Sequence, residues 1–378
     1  MKCLLKIQVL LLSAVVASCL SVATSAPVDV INSPTPTISV TNAPATDQIF
    51  LDARLSADGE MLAVYTLTGI YLYDTTTLEK TVAQEFEEAQ PREIDPAFGP
   101  GAVVISPDER TVAFSGLSED IPVTLMDIES ATTIGYIRDI PNGYYVTQLQ
   151  FSPKGDFLYI RSEYPRFKSL HCTNNGVDSS FTLLKLADKQ DTGWFYPKFF
   201  EWNGCTNISD YSKAFFTNND KFYLYIERDM TSSLTYVVDI GPGSTYKEQK
   251  LDDSLLPYDI STDGSTYAVF NPDDARQRLT TLIDAETLVV LKDLPYMVKL
   301  FNSNDRYLVR GDIYEKSNWG LWENGRVVCE YDGLVYPYFF VWEISANNEV
   351  FISYRSLSEI VIWDVATCLI RNTLKLGE

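Results

Sequence analysis

The chain has 378 residues with a formal charge of -21, a hydrophobic fraction of 46% and one histidine, His171. That balance is globular, and its acidity excludes general binding to nucleic acid, where a basic surface must meet phosphate. It also excludes general adhesion to anionic lipid.

Lys2 and Lys6 precede a mostly apolar run, Val9 to Val16. A short positive start and such a run predict a secretory signal, too short to favour a stable membrane span. Val16-Ala17-Ser18-Cys19 follows. It resembles the bacterial lipobox, in which an aliphatic and two small residues precede a cysteine. The resemblance implies removal of residues 1–18, lipidation of Cys19, and an extracytoplasmic protein held to the cell membrane by that lipid alone. The alternative is ordinary cleavage after Ser25 or Ala26, which would leave a secreted chain without Cys19. Residues 27–46 are rich in Pro, Ser, Thr, Asn and Ala. They hold too little apolar mass to pack, so residues 19–46 are expected to form a flexible tether and residues 47–378 the folded domain.

From residue 47 a polar turn recurs between alternating apolar runs. Its copies begin at Ser56, Ser106, Ser152, Thr217, Ser261, Asn302 and Ser345, at intervals from 41 to 65 residues. Asp-Gly and Asn-rich turns supply the positive-φ positions of tight hairpins. A strand with an apolar–acid ending follows most copies: Ile70–Asp74, Leu125–Asp127, Val237–Asp239, Leu282–Asp284, Leu321–Glu323 and Ile360–Asp364. The third unit, Leu183–Leu186, lacks the acid.

Seven such units of four strands predict an all-β fold, a β-propeller of about seven four-stranded blades. Over residues 47–378 the chain resembles the WD-repeat propellers, with departures. Only Trp363-Asp364 is a true Trp-Asp pair, and no Gly-His dipeptide occurs. The chain is more similar to the looser extracytoplasmic bacterial propellers. Its phase predicts closure by packing between the first and last blades rather than by an exchanged strand, with Thr37–Val40 as a less favoured extra strand.

The loops from each second strand to the third, and from each fourth strand to the next blade, share one face, called here the top. The third unit carries the longest insertion, Tyr164–Asp178 with Cys172, and its next top loop, Glu201–Asp210, holds Cys205. In a secreted chain this predicts a Cys172–Cys205 disulfide, stapling either a recognition loop or simply a long insertion. Cys329 and Cys368 are expected on outer strands of neighbouring blades, too far apart to bridge, as buried thiols. His171 has no second histidine with which to share a metal, and no metal or cofactor is expected.

Arg161, Arg228, Arg310 and Arg355 fall near the ends of second strands, with Arg276 and Arg278 in the fifth unit. Guanidinium groups clustered on an acidic chain suit carboxylate or phosphate. The competing reading is local pairing with Glu163, Asp229, Asp312 and Glu359. Phe50, Tyr145, Tyr211, Tyr296, Tyr338 and Phe339 start many inner strands, and Trp194, Tyr196 and Trp202 lie nearby. They read either as an adhesive platform, with Trp202 and Tyr338 its best members, or as packing between blades.

No catalytic constellation emerges, and the sequence favours a non-enzyme without excluding one. Three functions remain open: a top face that binds a protein partner in an envelope complex, a propeller that binds or cleaves glycans, and a purely structural role.

Overall fold

A computed structural model describes residues 49–86, 102–116, 123–138, 140, 144–164, 177–186, 198–206, 213–216, 221–229, 232–240, 246–249, 257–261, 265–270, 280–285, 287, 289–294, 297–300, 306–310, 319–331, 343–356 and 358–376. All belong to one compact unit, Pro44–Glu378. The expected signal, Cys19 and the tether lie outside the described residues.

The strands run in chain order as consecutive four-stranded antiparallel sheets. The first holds β1 (Phe50–Leu55), β2 (Met61–Thr66), β3 (Gly69–Asp74) and β4 (Lys80–Glu85). The second holds β5 (Val103–Ile105), β6 (Thr111–Phe114), β7 (Val123–Asp127) and β8 (Thr132–Ile137). The third is longer: β9 (Tyr145–Phe151), β10 (Phe157–Glu163), β11 (Val177–Lys185) and β12 (Lys198–Thr206). The fourth holds β13 (Lys213–Phe216), β14 (Lys221–Asp229), β15 (Ser232–Asp239) and β16 (Tyr246–Gln249). The fifth holds β17 (Pro257–Ile260), β18 (Thr266–Phe270), β19 (Thr280–Asp284) and β20 (Val290–Leu294). The sixth holds β21 (Met297–Leu300), β22 (Arg306–Arg310), β23 (Trp319–Glu323) and β24 (Arg326–Tyr331). The seventh holds β25 (Glu343–Ile344), β26 (Val350–Ser356), β27 (Glu359–Asp364) and β28 (Ile370–Lys375). The first strands of successive sheets lie against one another at the centre, as in β1 with β5, β5 with β9 and β17 with β21. This is a β-propeller, as the sequence predicts.

In blades one, two, three, five and seven the first turn is set by its serine. The Ser56 hydroxyl donates to Asp58 Oδ1 at 2.6 Å and accepts from the Met61 amide at 3.0 Å. Ser106 and Ser345 repeat both bonds, with Asp108 and Asn347 as acceptors. Ser152 and Ser261 accept from Phe157 and Thr266. The fourth turn residue is left-handed in Gly59, Glu109, Gly155 and Asn348. At Gly59 the need for glycine is doubled: φ is 76°, and a Cβ there would fall 2.8 Å from Val350 Cγ2.

The apolar–acid ending has an equally local cause. Asp74 Oδ1 accepts from the Thr76 and Thr77 amides at 2.8 and 2.7 Å. Asp127 accepts from Ser130, Asp284 from Thr287, and Asp364 from Thr367, through both amide and hydroxyl each time. The acid therefore closes the turn between the third and fourth strands, as Asp does wherever a short carboxylate meets nearby free amides. The tryptophan before Asp364 has a different task. Trp363 is buried, stacks on Phe351 at 5.8 Å, meets Tyr331 edge-on, and donates Nε1–H to Ser353 Oγ at 2.9 Å.

Apolar clusters fill every seam. Tyr65 and Ile70 meet Val112 and Phe114; Val123 and Leu125 meet Leu149 and Leu158; Tyr159 and Phe181 meet Phe222. Tyr223 meets Tyr267, Leu282 meets Val298, and Leu321 meets Phe351 and Trp363. The last cluster joins Leu62 and Val64 to Val350 and Ile362, closing first blade on seventh. Each sheet uses four consecutive strands, so among the described residues closure needs no exchanged strand. Asn347 adds bonds from its amide to Ala57 O and from Nδ2 to Asp58 O, and Asn372 Nδ2 reaches Thr76 O.

One expectation fails. Cys329 and Cys368 are joined in a disulfide, with Cα atoms 6.0 Å apart, rather than separate thiols. Cys329 lies on the outer strand β24, but Cys368 lies in the turn before β28, at φ 56°. The left-handed turn, and not an outer strand, brings blade seven within bonding distance of blade six.

Candidate binding surface

Blade three has long strands at the top. β11 and β12 have nine residues each, and they stay paired out to Val177 opposite Thr206. β10 runs beside them to Glu163 opposite Ser179. In blade four β14 also reaches nine residues. The third and fourth blades thus form a ledge on the side of the ring where the second strands end.

The ledge revises one loop boundary. The top loop expected at Glu201–Asp210 is strand as far as Thr206, so Trp202 and Cys205 lie on β12, opposite Phe181 and Asp178. Cys172, the expected partner of Cys205, lies outside the described residues, as do His171 and Tyr338. The same is true of Trp194, Tyr196, Tyr211, Tyr296, Phe339, Arg276 and Arg278.

All four strand arginines fall on second strands near their top ends: Arg161 on β10, Arg228 on β14, Arg310 on β22 and Arg355 on β26. The two whose side chains are described differ. Arg161 is buried, with Nη2 2.6 Å from Glu163 Oε1 and its guanidinium 5.7 Å from the Phe181 ring centre. Arg355 is exposed and pairs with Glu359 at 2.8 Å. Arg161 is thus part of the ledge's interior, whereas Arg355 presents an ion pair to solvent, where such pairs contribute little. Of the aromatic starts, Phe50 is buried edge-on to Tyr354 at 6.1 Å, a packing position, while Tyr145 is half-buried.

Sequence reading missed a set of inner-strand acids. Asp52 on β1 accepts from the Val103 amide of blade two at 3.0 Å. Glu343 on β25 accepts from the Leu55 amide of blade one at 3.1 Å. Asp259 on β17 accepts from the Leu300 amide of blade six at 2.7 Å. Each carboxylate reaches the inner strand of the next blade. Arg54 joins two of them, with Nε 3.3 Å from Asp52 and Nη1 4.0 Å from Glu343. Burial raises the Asp52 carboxyl above its ordinary value, against the opposing pull of Arg54 and of the Val103 and Ala53 amides. Burial, then the Asp52 charge, pushes the Tyr354 hydroxyl up. The available signal was an acid and a base two apart, Asp52 and Arg54, in an otherwise apolar inner strand. Period two places both on one face.

Among the described residues no group of three or more His, Cys, Asp or Glu side chains could hold a metal ion. No helix among them is long and apolar enough to cross a membrane.

No family model matches the chain, and no curated protein matches it. Solved structures do. Hsv2 of Kluyvelomyces marxianus is 11% identical, covers 88% of this chain and 98% of its own, and has a TM-score of 0.49. The WD40 domain of SCAP from fission yeast is 12% identical over 89% of each chain, with a TM-score of 0.46. The dihydro-heme d1 dehydrogenase NirN is 14% identical over 89% of this chain and 68% of its own, also at 0.46. The propeller assignment itself stands on the strand order and the filled seams described above.

Proposed function

We propose that this chain is an extracytoplasmic propeller, held to the cell membrane through a lipid on Cys19, whose top face binds a protein partner and scaffolds an envelope complex. The observation that supports it is the ledge of blades three and four. Paired strands, not loops alone, form it, with Arg228 near the end of β14 and Trp202 on β12, and Arg and Trp are the side chains that anchor protein interfaces. The lipobox-like Val16–Cys19 and the tether after it support the location.

The test has two arms. Cys19→Ala should move the protein from the membrane to the soluble fraction, and unchanged attachment would count against lipidation. The unit Pro44–Glu378, used as bait against detergent-solubilised envelope, should retain a specific protein. A variant with Arg228, Arg310 and Arg355 changed to Ala should lose it. Arg161 is left in place because it is buried and its removal would disturb the packing on Phe181 and unpair the half-buried Glu163. Retention of no protein, together with glycan binding that Trp202→Ala or Tyr338→Ala abolishes, would favour the carbohydrate reading instead. A top face indifferent to every substitution would favour a structural role.

A further inference from the structure

Among the described residues, eight large apolar side chains are strongly exposed, and seven of them lie on or beside the outer strands of blades five, six and seven. Val290 and Leu291 stand on β20, Val327 and Val328 on β24, and Leu369 and Ile370 at the start of β28, each 40–66% exposed. The Cys329–Cys368 disulfide ties the last two groups together, since Cys329 follows Val328 and Cys368 precedes Leu369. Scattered exposed leucines need no explanation, but a concentration on three consecutive blades does.

The charges around these residues balance. β20 carries Lys292 and Asp293, β24 carries Arg326 and Glu330, and Arg371 on β28 lies 3.4 Å from Asp364. This is a neutral, aliphatic surface on a chain of charge -21. A nucleic acid or an anionic bilayer would require surplus positive charge here. A peptide added as a fifth strand would require a regular edge, and all three outer strands are bulged: the ladder skips Leu291, Val328 and Arg371. Bulges of this kind break edge-to-edge pairing and push side chains outward. What remains is a partner surface that is itself apolar and neutral. Two copies of an acidic chain repel over most of their surfaces, whereas on this charge-balanced rim repulsion is weak and a twofold contact is self-complementary. The exposed apolar area is roughly 500–700 Å² per copy, so a pair would bury at most about 1,200 Å² of it, the lower end of stable interfaces.

We propose that the outer strands of blades five to seven form a self-association face that seats a second copy of this chain in a weak twofold dimer.

Sedimentation of Pro44–Glu378, whose ring closes on itself, tests this over a concentration series. The expected result is a reversible monomer–dimer equilibrium that tightens as salt rises from about 20 to 150 mM, because screening removes repulsion between acidic copies. Val328→Glu and Leu369→Glu, each made separately, should raise the dissociation constant at least about tenfold, since each would bury an unpaired charge. Both sites are exposed, and unchanged thermal melting would show that each variant is folded. Ile134→Glu on blade two should leave the equilibrium untouched. A chain that stays monomeric at the highest concentration, a dimer that survives both substitutions, or one that salt weakens would overturn the proposal.

Discussion

Blades one and two and blades six and seven share a skeleton and differ in what they display on it. In blades one, two and seven an Asp closes the turn after the third strand and a left-handed residue leads into the fourth, whereas blade six turns through Asn324-Gly325 after Glu323; in all four the outer ladder skips one residue. The left-handed residue is Leu78 in blade one, Ala131 in blade two and Cys368 in blade seven. The side chains that follow are Glu79-Lys80 in blade one and Thr132-Thr133 in blade two, but Leu369-Ile370 in blade seven, and in blade six Val327-Val328 come one residue after the turn, behind Arg326. The backbone is dictated by turn chemistry that tolerates almost any following side chain. The rim is therefore free to specialise, and in blades six and seven it is apolar and cross-linked.

The largest expected contrast is at the residue before the closing Asp. Trp363 in blade seven is buried in the seam, whereas Tyr73 in blade one is half-buried. Trp363→Ala should cost about 3–5 kcal/mol, by cavity and lost stacking, and Tyr73→Ala clearly less. Urea unfolding of the two variants measures both, and equal losses would show the seams to be alike.

Next is the disulfide. It closes a loop of 39 residues between blades six and seven. Cys329→Ser with Cys368→Ser should cost about 3–4 kcal/mol on loop entropy, and reductant should destabilise the parent but not this variant. Denaturation with and without reductant decides it.

The acids come third, and they oppose one another with pH. The Thr77 and Thr76 amides hold Asp74 below the usual value of 3.8. For Asp364, burial opposes, but the Thr367 amide and hydroxyl leave it lowered as well. Their stabilising contribution is therefore present above pH 3.8 and lost as the pH falls through the lower folded values. Asp52 is raised, so its protonation favours the fold: its contribution is full below 3.8 and disappears as the pH rises through its higher folded value. Melting temperature against pH should accordingly lose its acid-side fall in part with Asp74→Asn or Asp364→Asn. Asp52→Asn should remove a gain that the parent shows on mild acidification. No change of profile in either case would contradict the bonding described for these carboxylates.

The smallest effect is at the left-handed positions. A left-handed L-residue costs about 1–2 kcal/mol, and glycine returns about 0.5–1 kcal/mol of that as unfolded-chain entropy. Ala131→Gly, at an exposed position, should thus be neutral to slightly stabilising, by less than about 1 kcal/mol, whereas Leu78→Gly also loses packing on the seam between blades one and seven and should be destabilising. Cys368→Gly should be destabilising because it also breaks the disulfide.

These contrasts mark what the sequence could show. The serine turns and acid endings were legible because each is a local device, closed within five residues and repeated. Ser56 with Asp58 and Asp364 with Thr367 need no knowledge of the rest of the chain. Glu343 on the Leu55 amide was not legible, because the partners are 288 residues apart and meet only once the ring closes. Cys329 with Cys368 was missed for a subtler reason. Both cysteines were placed in the right blades, but one turn residue at positive φ moved the second off its strand. Trp202 and Cys205 fall in Glu201–Asp210, which reads as a loop in sequence, whereas pairing with β11 carries the strand through to Thr206.

The central claim is that the ring offers two separate faces, a top face for a protein partner and a rim for a second copy. The measurement that tests it most directly is a crossed comparison on one preparation of Pro44–Glu378. The Arg228, Arg310 and Arg355 to Ala variant and Val328→Glu are each assayed for partner capture and for self-association. The account predicts that the first loses the partner and still dimerises, while the second keeps the partner and sediments as a monomer. A variant that loses both properties, or a pair in which neither property changes, would contradict it.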